Sequence, residues 1–388
     1  MINKKLAIAI FFFAYAISGF TSYFFSAKGE IELLNKTNYQ PPESGETAKS
    51  EDSTANEVKT EACPLNGQLY GKSSKANWEK RRPLGIMVEN STAARPQSGL
   101  SSADVIYEAV AEGGITRFLT IYYCEDSSYI GPVRSARIYF VKLLQGYGDY
   151  PLYAHVGGAN TDGPADALGE IDDLGWGLYN DLNQFGVPFP NFWRDYERLP
   201  GRVTEHTVYT NSTKLWEFAK TKRGLTDKDK KGIFWDVKFT PWKFKDDAPL
   251  AQRGSLEKIS FKFWETFAAD YAVDWTYDQS INSFKRNNGG SPHIDKNTNK
   301  QLEAKNVIIV FSQESSANDG YPGGHILYKL TGSGNGLIFQ DGKVVEATWN
   351  KKNEEANLKF FAEDGKETEL VNGKIFVEIL PIGNKVVY

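Results

Sequence analysis

The 388-residue sequence predicts a mixed α/β (α+β) protein: an α/β layered domain with a mixed sheet, followed by a β-rich C-terminal domain. Two textures and one apolar run predict it. Between residues 83 and 224 short apolar runs alternate with helical patterns, as α/β layers do. From residue 233 onward, short strand-like runs are separated by turn signals. Ahead of both lies residues 6–25, a stretch without a charged side chain.

That stretch is long enough, at about 1.5 Å per residue, to cross a hydrocarbon core of about 30 Å. Lys4 and Lys5 precede it, so the positive-inside rule keeps the N-terminus in the cytoplasm and sends the rest outward. Residues 1–27 are therefore expected to be a single-pass anchor. Ala14-Tyr15-Ala16 offers a cleaved signal peptide as the alternative, and either reading exports the remainder. Residues 28–61, rich in Glu, Lys, Ser, Thr, Asn and Pro, read as a disordered linker.

The α/β domain is expected over 62–232, with strands at 84–88, 105–107, 118–123 and 152–155. Helices fit 136–144, 163–171 and 213–221; Ile138, Val141 and Leu144 fall along one stripe of the first. Over 233–388, strands fit 259–264, 272–277, 307–311, 325–330, 336–339 and 375–380. Asp341-Gly342, Asp364-Gly365 and Asn372-Gly373 are hairpin-type turns, which makes this half a β-rich unit, a partly closed sheet or barrel.

Aromatic residues at 14% of the chain make large buried cores feasible, and a net charge of -4 argues against a nucleic-acid partner. Cys63 and Cys124 fit an exported protein as one disulfide or as two buried thiols. No zinc spacing, nucleotide fingerprint or nucleophile elbow occurs; no metal site is expected and no cofactor is implied.

Four segments could carry chemistry. In Gly131-Pro132-Val133-Arg134-Ser135-Ala136-Arg137, Ser135 can cap a helix whose free amides favour an anion, with Arg134 and Arg137 adding forked hydrogen bonds. The alternative is that these arginines pair with Glu108 or Glu112. The second segment ends in Gly113-Gly114 and Arg117. His155 precedes Gly157-Gly158 at the end of a strand, where open sheets commonly bind ligands. Arg194, Arg198 and Arg202 lead into His206. His155 and His206 are the candidates for proton transfer, weighed against structural roles.

Several of these segments together resemble the YerB-like family, exported bacterial proteins regarded as lipoproteins and built from two domains of unknown function. The resemblance rests on Arg95-Pro96-Gln97-Ser98-Gly99-Leu100, Ser102-Ala103-Asp104-Val105-Ile106-Tyr107-Glu108, Glu112-Gly113-Gly114-Ile115-Thr116-Arg117-Phe118 and the segment 131–137. It continues through His155, Gly157-Gly158, His206-Thr207-Val208-Tyr209-Thr210-Asn211, Phe284-Lys285-Arg286, Pro292-His293-Ile294-Asp295, Asn306-Val307-Ile308 and Gly332-Ser333-Gly334. It implies a fold more than an activity. One departure stands out: a lipoprotein needs a cysteine after its small-residue box, and here Ile17-Ser18-Gly19 is followed by Phe20, so any anchor is the peptide span itself. The order of Ala103-Asp104-Val105-Ile106, Pro132-Val133-Arg134-Ser135 and Gly157-Gly158 is also similar to the layout of LytR-CpsA-Psr phosphotransferases, although Ser135 stands where those enzymes have an aspartate.

These readings lead to three functional expectations. The first is a membrane-anchored, extracytoplasmic protein that binds an anionic, phosphate- or carboxylate-bearing envelope lipid or glycan. Its cleft would be lined by Arg117, Arg134, Ser135, Arg137, Gly157, Gly158, Arg198 and Arg202. The second is an envelope enzyme acting on a phosphorylated lipid or glycan, and the third a protein–protein scaffold.

Overall fold

The computed structural model describes residues 57–388, so the expected span over 6–25 and most of the linker lie outside the described residues. Among the described residues no helix is long and apolar enough to cross a membrane. The end of the expected linker is already folded. Glu61–Ala62 pairs with Leu69–Tyr70, and Glu57 accepts the Ser73 N–H (3.1 Å) in the first turn of α1 (Lys72–Trp78), where free amides favour a carboxylate.

Runs that are apolar at successive positions become strands buried on both faces. These are β1 (Leu84–Glu89), β2 (Val105–Glu112) and β3 (Ile115–Tyr122), followed by α2 (Ile138–Leu144) and β4 (Leu152–His155). Asp166 caps α3 (Ala167–Asp173) by accepting the Gly169 N–H (2.8 Å). Next come β5 (Asp181–Asn183) and a two-stranded ribbon of β6 (Phe192–Arg194) with β7 (Val208–Thr210). Asn211 caps α4 (Ser212–Phe218) through the Lys214 N–H (3.0 Å).

The second half supplies β8 (Lys258–Phe261), β9 (Val273–Asp278), β10 (Ser283–Asn288), β11 (Asn306–Ser312), β12 (Gly332–Gln340), β13 (Lys343–Lys351), β14 (Lys359–Phe361), β15 (Ile375–Pro381) and β16 (Val386–Val387). The expected partly closed sheet or barrel does not form by itself. β11 and β15 are buried on both faces and must be central, so with β12–β14 they join the first half in one ten-stranded sheet. Its order is β14-β13-β12-β11-β15-β2-β3-β1-β4-β5. β9, whose burial starts by alternating, lies instead in a second, six-stranded sheet containing β10-β9-β8-β16.

β15 runs parallel to β11 and β2, and β1, β4 and β5 run parallel to one another. Because β3 is antiparallel to both β1 and β2, the carboxyl ends of β1, β2, β4, β5, β11 and β15 share one edge of the sheet. Register then divides the two faces. Glu89 lies opposite Arg117 and Val88 opposite Phe118, so the first pair faces α2 and the second faces the second sheet. Trp275 and Phe376, 5.1 Å between centroids, anchor that second-sheet contact. Side chains of this size each contribute about 1.5–3 kcal/mol when fully buried.

Candidate functional site

At the carboxyl edge, three of the arginines picked out in the sequence come together. Segment 131–136 runs extended beside β1: the Glu89 N–H donates to Pro132 O (2.9 Å), Val133 N–H to Val208 O (2.7 Å) and Arg134 N–H to Met87 O (2.9 Å). Gly131 is required at the start of this run. Its φ is 146°, and a Cβ there would stand 2.8 Å from the Val208 carbonyl.

Ser135 does not cap a helix. α2 begins at Ile138, with Arg137 in the cap position in extended backbone and no side chain bonded to the first turn. The reason is the bridge just before it: Ala136 pairs with Gly158 and donates its N–H to Gly157 O (2.9 Å), which holds the chain extended. An anion site here therefore rests on the arginine side chains rather than on a helix end.

Those side chains share two carboxylates. Arg117, only 3% exposed, donates Nη1 to Ser135 O (3.0 Å) and places Nη2 3.4 Å from Glu112 Oε1. Arg137, 7% exposed, pairs with Glu112 Oε2, as the ion-pair alternative anticipated. Arg134 is 26% exposed, with Nε 3.4 Å from Glu89 Oε1, while Glu89 Oε2 lies 2.8 Å from His206 Nδ1. The Nε atoms of all three arginines are buried and have no hydrogen-bond partner among the described residues. Burial, and after it the charge of Arg137, brings Arg117 down to about 10. Burial pushes the Glu112 carboxyl upward, but Arg117 and Arg137 outweigh it and hold the group below the ordinary carboxylate range.

The remaining expected residues divide. Gly157 and Gly158 lie directly behind the cluster. Gly157 accepts from Ala136, and a Cβ on Gly158 would meet Leu168 at 2.8 Å. His155 is wholly buried; Nδ1 faces Gly157 O at 2.7 Å and Nε2 faces Asp181 Oδ1 at 2.6 Å, so both nitrogens are occupied in holding this loop. Arg198 belongs elsewhere, stacked 4.3 Å from the Tyr129 ring and donating to Ser98 Oγ (3.0 Å) and to Asn297. Arg202 is exposed, with no hydrogen bond or ion pair among the described residues.

The sequence reading overlooked Glu89, whose place opposite Arg117 depends on strand register. It also overlooked a second polar cluster, on the other face of the sheet. There Arg286 pairs with Glu108 and lies 3.6 Å from Glu378 Oε1, with all three side chains fully buried. Arg286 Nη1 donates to His293 Nδ1 (2.6 Å), and His293 Nε2 lies 2.8 Å from Gln97 Oε1. Burial, and then the charge of Glu108, raises Glu378 well above the carboxylate range. Burial, and then the charge of Arg286, holds His293 well below its ordinary value.

Two family models match this chain: the "Protein of unknown function (DUF3048) N-terminal domain" over 69–226 and its C-terminal domain counterpart over 263–377. The chain belongs to the DUF3048 family. "Putative lipoprotein YerB" of Bacillus subtilis (strain 168) is 30% identical over 321 residues, covering 82% of this chain and 87% of that protein. The crystal structure of the YerB protein from Bacillus subtilis superposes with a TM-score of 0.66 at 27% identity, over 85% of this chain and all of that one. In this DUF3048 chain the arginine cluster lies in the segment matched by the N-terminal model. Arg286 and His293 lie in the segment matched by the C-terminal model, and both segments contribute strands to the ten-stranded sheet.

Proposed function

We propose that this protein is an extracytoplasmic envelope protein, held to the membrane by its N-terminal span, whose arginine cluster binds an anionic, phosphate- or carboxylate-bearing envelope lipid or glycan. The observation that carries the proposal is the unbalanced charge at the carboxyl edge. Among the described residues Arg117, Arg134 and Arg137 form ion pairs with Glu89 and Glu112; the buried Nε–H groups of Arg117 and Arg137 have no acceptor, and Arg134 Nε has only the Glu89 carboxylate at 3.4 Å. A buried donor left unpaired costs about 1–3 kcal/mol, more for a charged group, and an oxyanion accepting these N–H groups would recover that cost. Export is supported by the apolar segment 6–25 behind two lysines and by the lipoprotein description of the Bacillus subtilis relative.

The test uses full-length protein extracted from membranes. Native mass spectrometry should show a co-purified phosphorylated or carboxylated lipid or glycan, and inorganic pyrophosphate should compete for it. In Glu112→Gln, Arg117 and Arg137 lose their shared charge partner, so pyrophosphate should raise the melting temperature more than in the native protein. No bound anion, together with no pyrophosphate-dependent shift in either protein, would refute the proposal.

A further inference from the structure

The carboxyl edge carries more than charge. Loops around the arginine cluster present large apolar side chains to solvent: Phe185 is 78% exposed, Val203 57% and Phe267 54%. Each is held in place beside the cluster. Asn183 Oδ1, at the end of β5, accepts both the Phe185 N–H (3.3 Å) and the Gly157 N–H (3.1 Å), which ties Phe185 to the loop behind the arginines. Val203 O accepts the His206 N–H (3.0 Å) in the turn that brings His206 to Glu89. Phe267 lies against Gly114, two residues past Glu112; a Cβ on that glycine would stand 3.2 Å from its ring. Its backbone is left-handed (φ 59°), which a bulky residue seldom adopts, and strained residues of this kind collect in functional segments.

Burial grades this edge from centre to rim. Arg117 and Arg137 are covered and Arg134 is partly exposed, while Phe185, Val203 and Phe267 stand out around them. In the same loops Arg194 and Arg202 offset Glu197 and Glu205, and Lys262 pairs with Glu265 (2.9 Å), so the arginine cluster sets the sign at the centre. A protein partner is ordinarily met by an apolar centre inside a polar rim. Here the order is reversed. A phospholipid bilayer complements it in depth: projecting apolar side chains reach the headgroup–acyl boundary, and guanidinium groups set back from them meet lipid phosphates.

We infer that the carboxyl edge docks on the surface of an anionic phospholipid bilayer, with Phe185, Val203 and Phe267 at the headgroup–acyl boundary and Arg134 on a lipid phosphate. The inference rests on the anion site proposed above and assigns its anion to the membrane.

The test uses the full chain reconstituted into vesicles of phosphatidylcholine with phosphatidylglycerol as the minor lipid. Phe185→Cys, Phe267→Cys and Val237→Cys proteins each carry an environment-sensitive fluorophore on the new thiol. Val237 is the control, exposed next to Lys238, which pairs with Asp149 (3.0 Å) ahead of the amino end of β4. Brominated acyl chains should quench the probes at 185 and 267 and leave the probe at 237 bright. Phe267→Asn, which keeps a residue tolerant of left-handed backbone, should lower the ratio of docked to free protein reported at 185 by about tenfold. Vesicles without phosphatidylglycerol should also lower it. No quenching at 185 and 267, or equal quenching at 237, would overturn the inference. So would a blue shift in detergent that grows with protein concentration, which would assign this face to a second copy of the chain. The pyrophosphate-dependent melting shift, measured on the same proteins, separates the two readings. Quenching lost with the shift retained refutes docking alone, whereas the shift absent with quenching retained refutes the anion site and the placing of Arg134 on phosphate.

Discussion

At the scale of single residues, burial separates the arginines of the cluster: two hold the fold, and the third is the one the proposed function assigns to the ligand. Arg117 and Arg137 are both buried on Glu112, so removing Glu112 strands two guanidinium charges, at a cost of about 3–5 kcal/mol. Arg134 is partly exposed, and its contacts with Glu89 (3.4 Å) and Glu205 O (3.5 Å) are long, so its contribution to stability is at most about 1 kcal/mol. Glu112→Ala should therefore unfold at markedly lower denaturant, whereas Arg134→Ala should keep its melting temperature and lose anion affinity by at least about tenfold. Lysine at position 134 should restore only part of that affinity, because an ammonium cannot make a forked contact. Paired titration and denaturation of these variants checks all three, and a badly destabilised Arg134→Ala protein would assign Arg134 to the fold instead. Arg134 and Arg137 were legible in the sequence because a Gly-Pro turn and two arginines are local features. Glu89 was not, since only the pairing of β1 with β3 brings it to them.

At the scale of elements, the extended run from Gly131 to Ala136 aims Arg134, and it depends on a backbone only glycine adopts easily. Gly131→Ala would place a Cβ 2.8 Å from Val208 O at a φ of 146°. Strain of this kind costs about 1–3 kcal/mol, and anion affinity should fall with stability as Arg134 shifts. Urea unfolding and pyrophosphate titration of that variant measure both effects. On the other face, the contact between β2, β15 and the second sheet carries a pH signature. Glu378 has its folded pKa raised, so the folded state holds a proton that the unfolded chain releases above about 4.5, and stability from this group falls as pH rises past that point. His293 has its folded pKa depressed, so the unfolded chain gains a proton below about 6.5, and stability from this group falls as pH drops past that point. Between 4.5 and 6.5 the two slopes, each at most about 1.4 kcal/mol per pH unit, oppose each other. The network thus predicts a Glu378 contribution that favours lower pH and a His293 contribution that favours higher pH. Glu378→Gln should flatten the alkaline limb and His293→Gln the acid limb in melting curves recorded from pH 4 to 9.

At the scale of the whole molecule, Cys63 and Cys124 are disulfide-bonded, tying the chain ahead of β1 to the end of β3 across 61 residues of sequence. Closing a loop of that length removes about 4 kcal/mol of unfolded-state entropy in the chain-entropy account. Replacing both cysteines with alanine should cost about 2–5 kcal/mol in denaturant unfolding, and a loss below 1 kcal/mol would contradict that account.

The sequence by itself determined the mixed α/β class, the interior strands, the hairpin at Asp341-Gly342 and the segments that meet at the carboxyl edge, because periodicity and turn chemistry are written over a few neighbouring residues. It placed two helix starts too early, at Ala136 for α2 and Gly163 for α3, since the bridge of Ala136 to Gly158 is made with a residue beyond α2. Only the tertiary structure decided that β11 to β15 complete the sheet of the first half, that His155 is sealed against Asp181, and that Arg198 leaves the arginine cluster for Tyr129. Each of these is a contact between residues at least 26 positions apart. Such contacts are chosen by register and burial summed over the whole chain, and no local pattern encodes them.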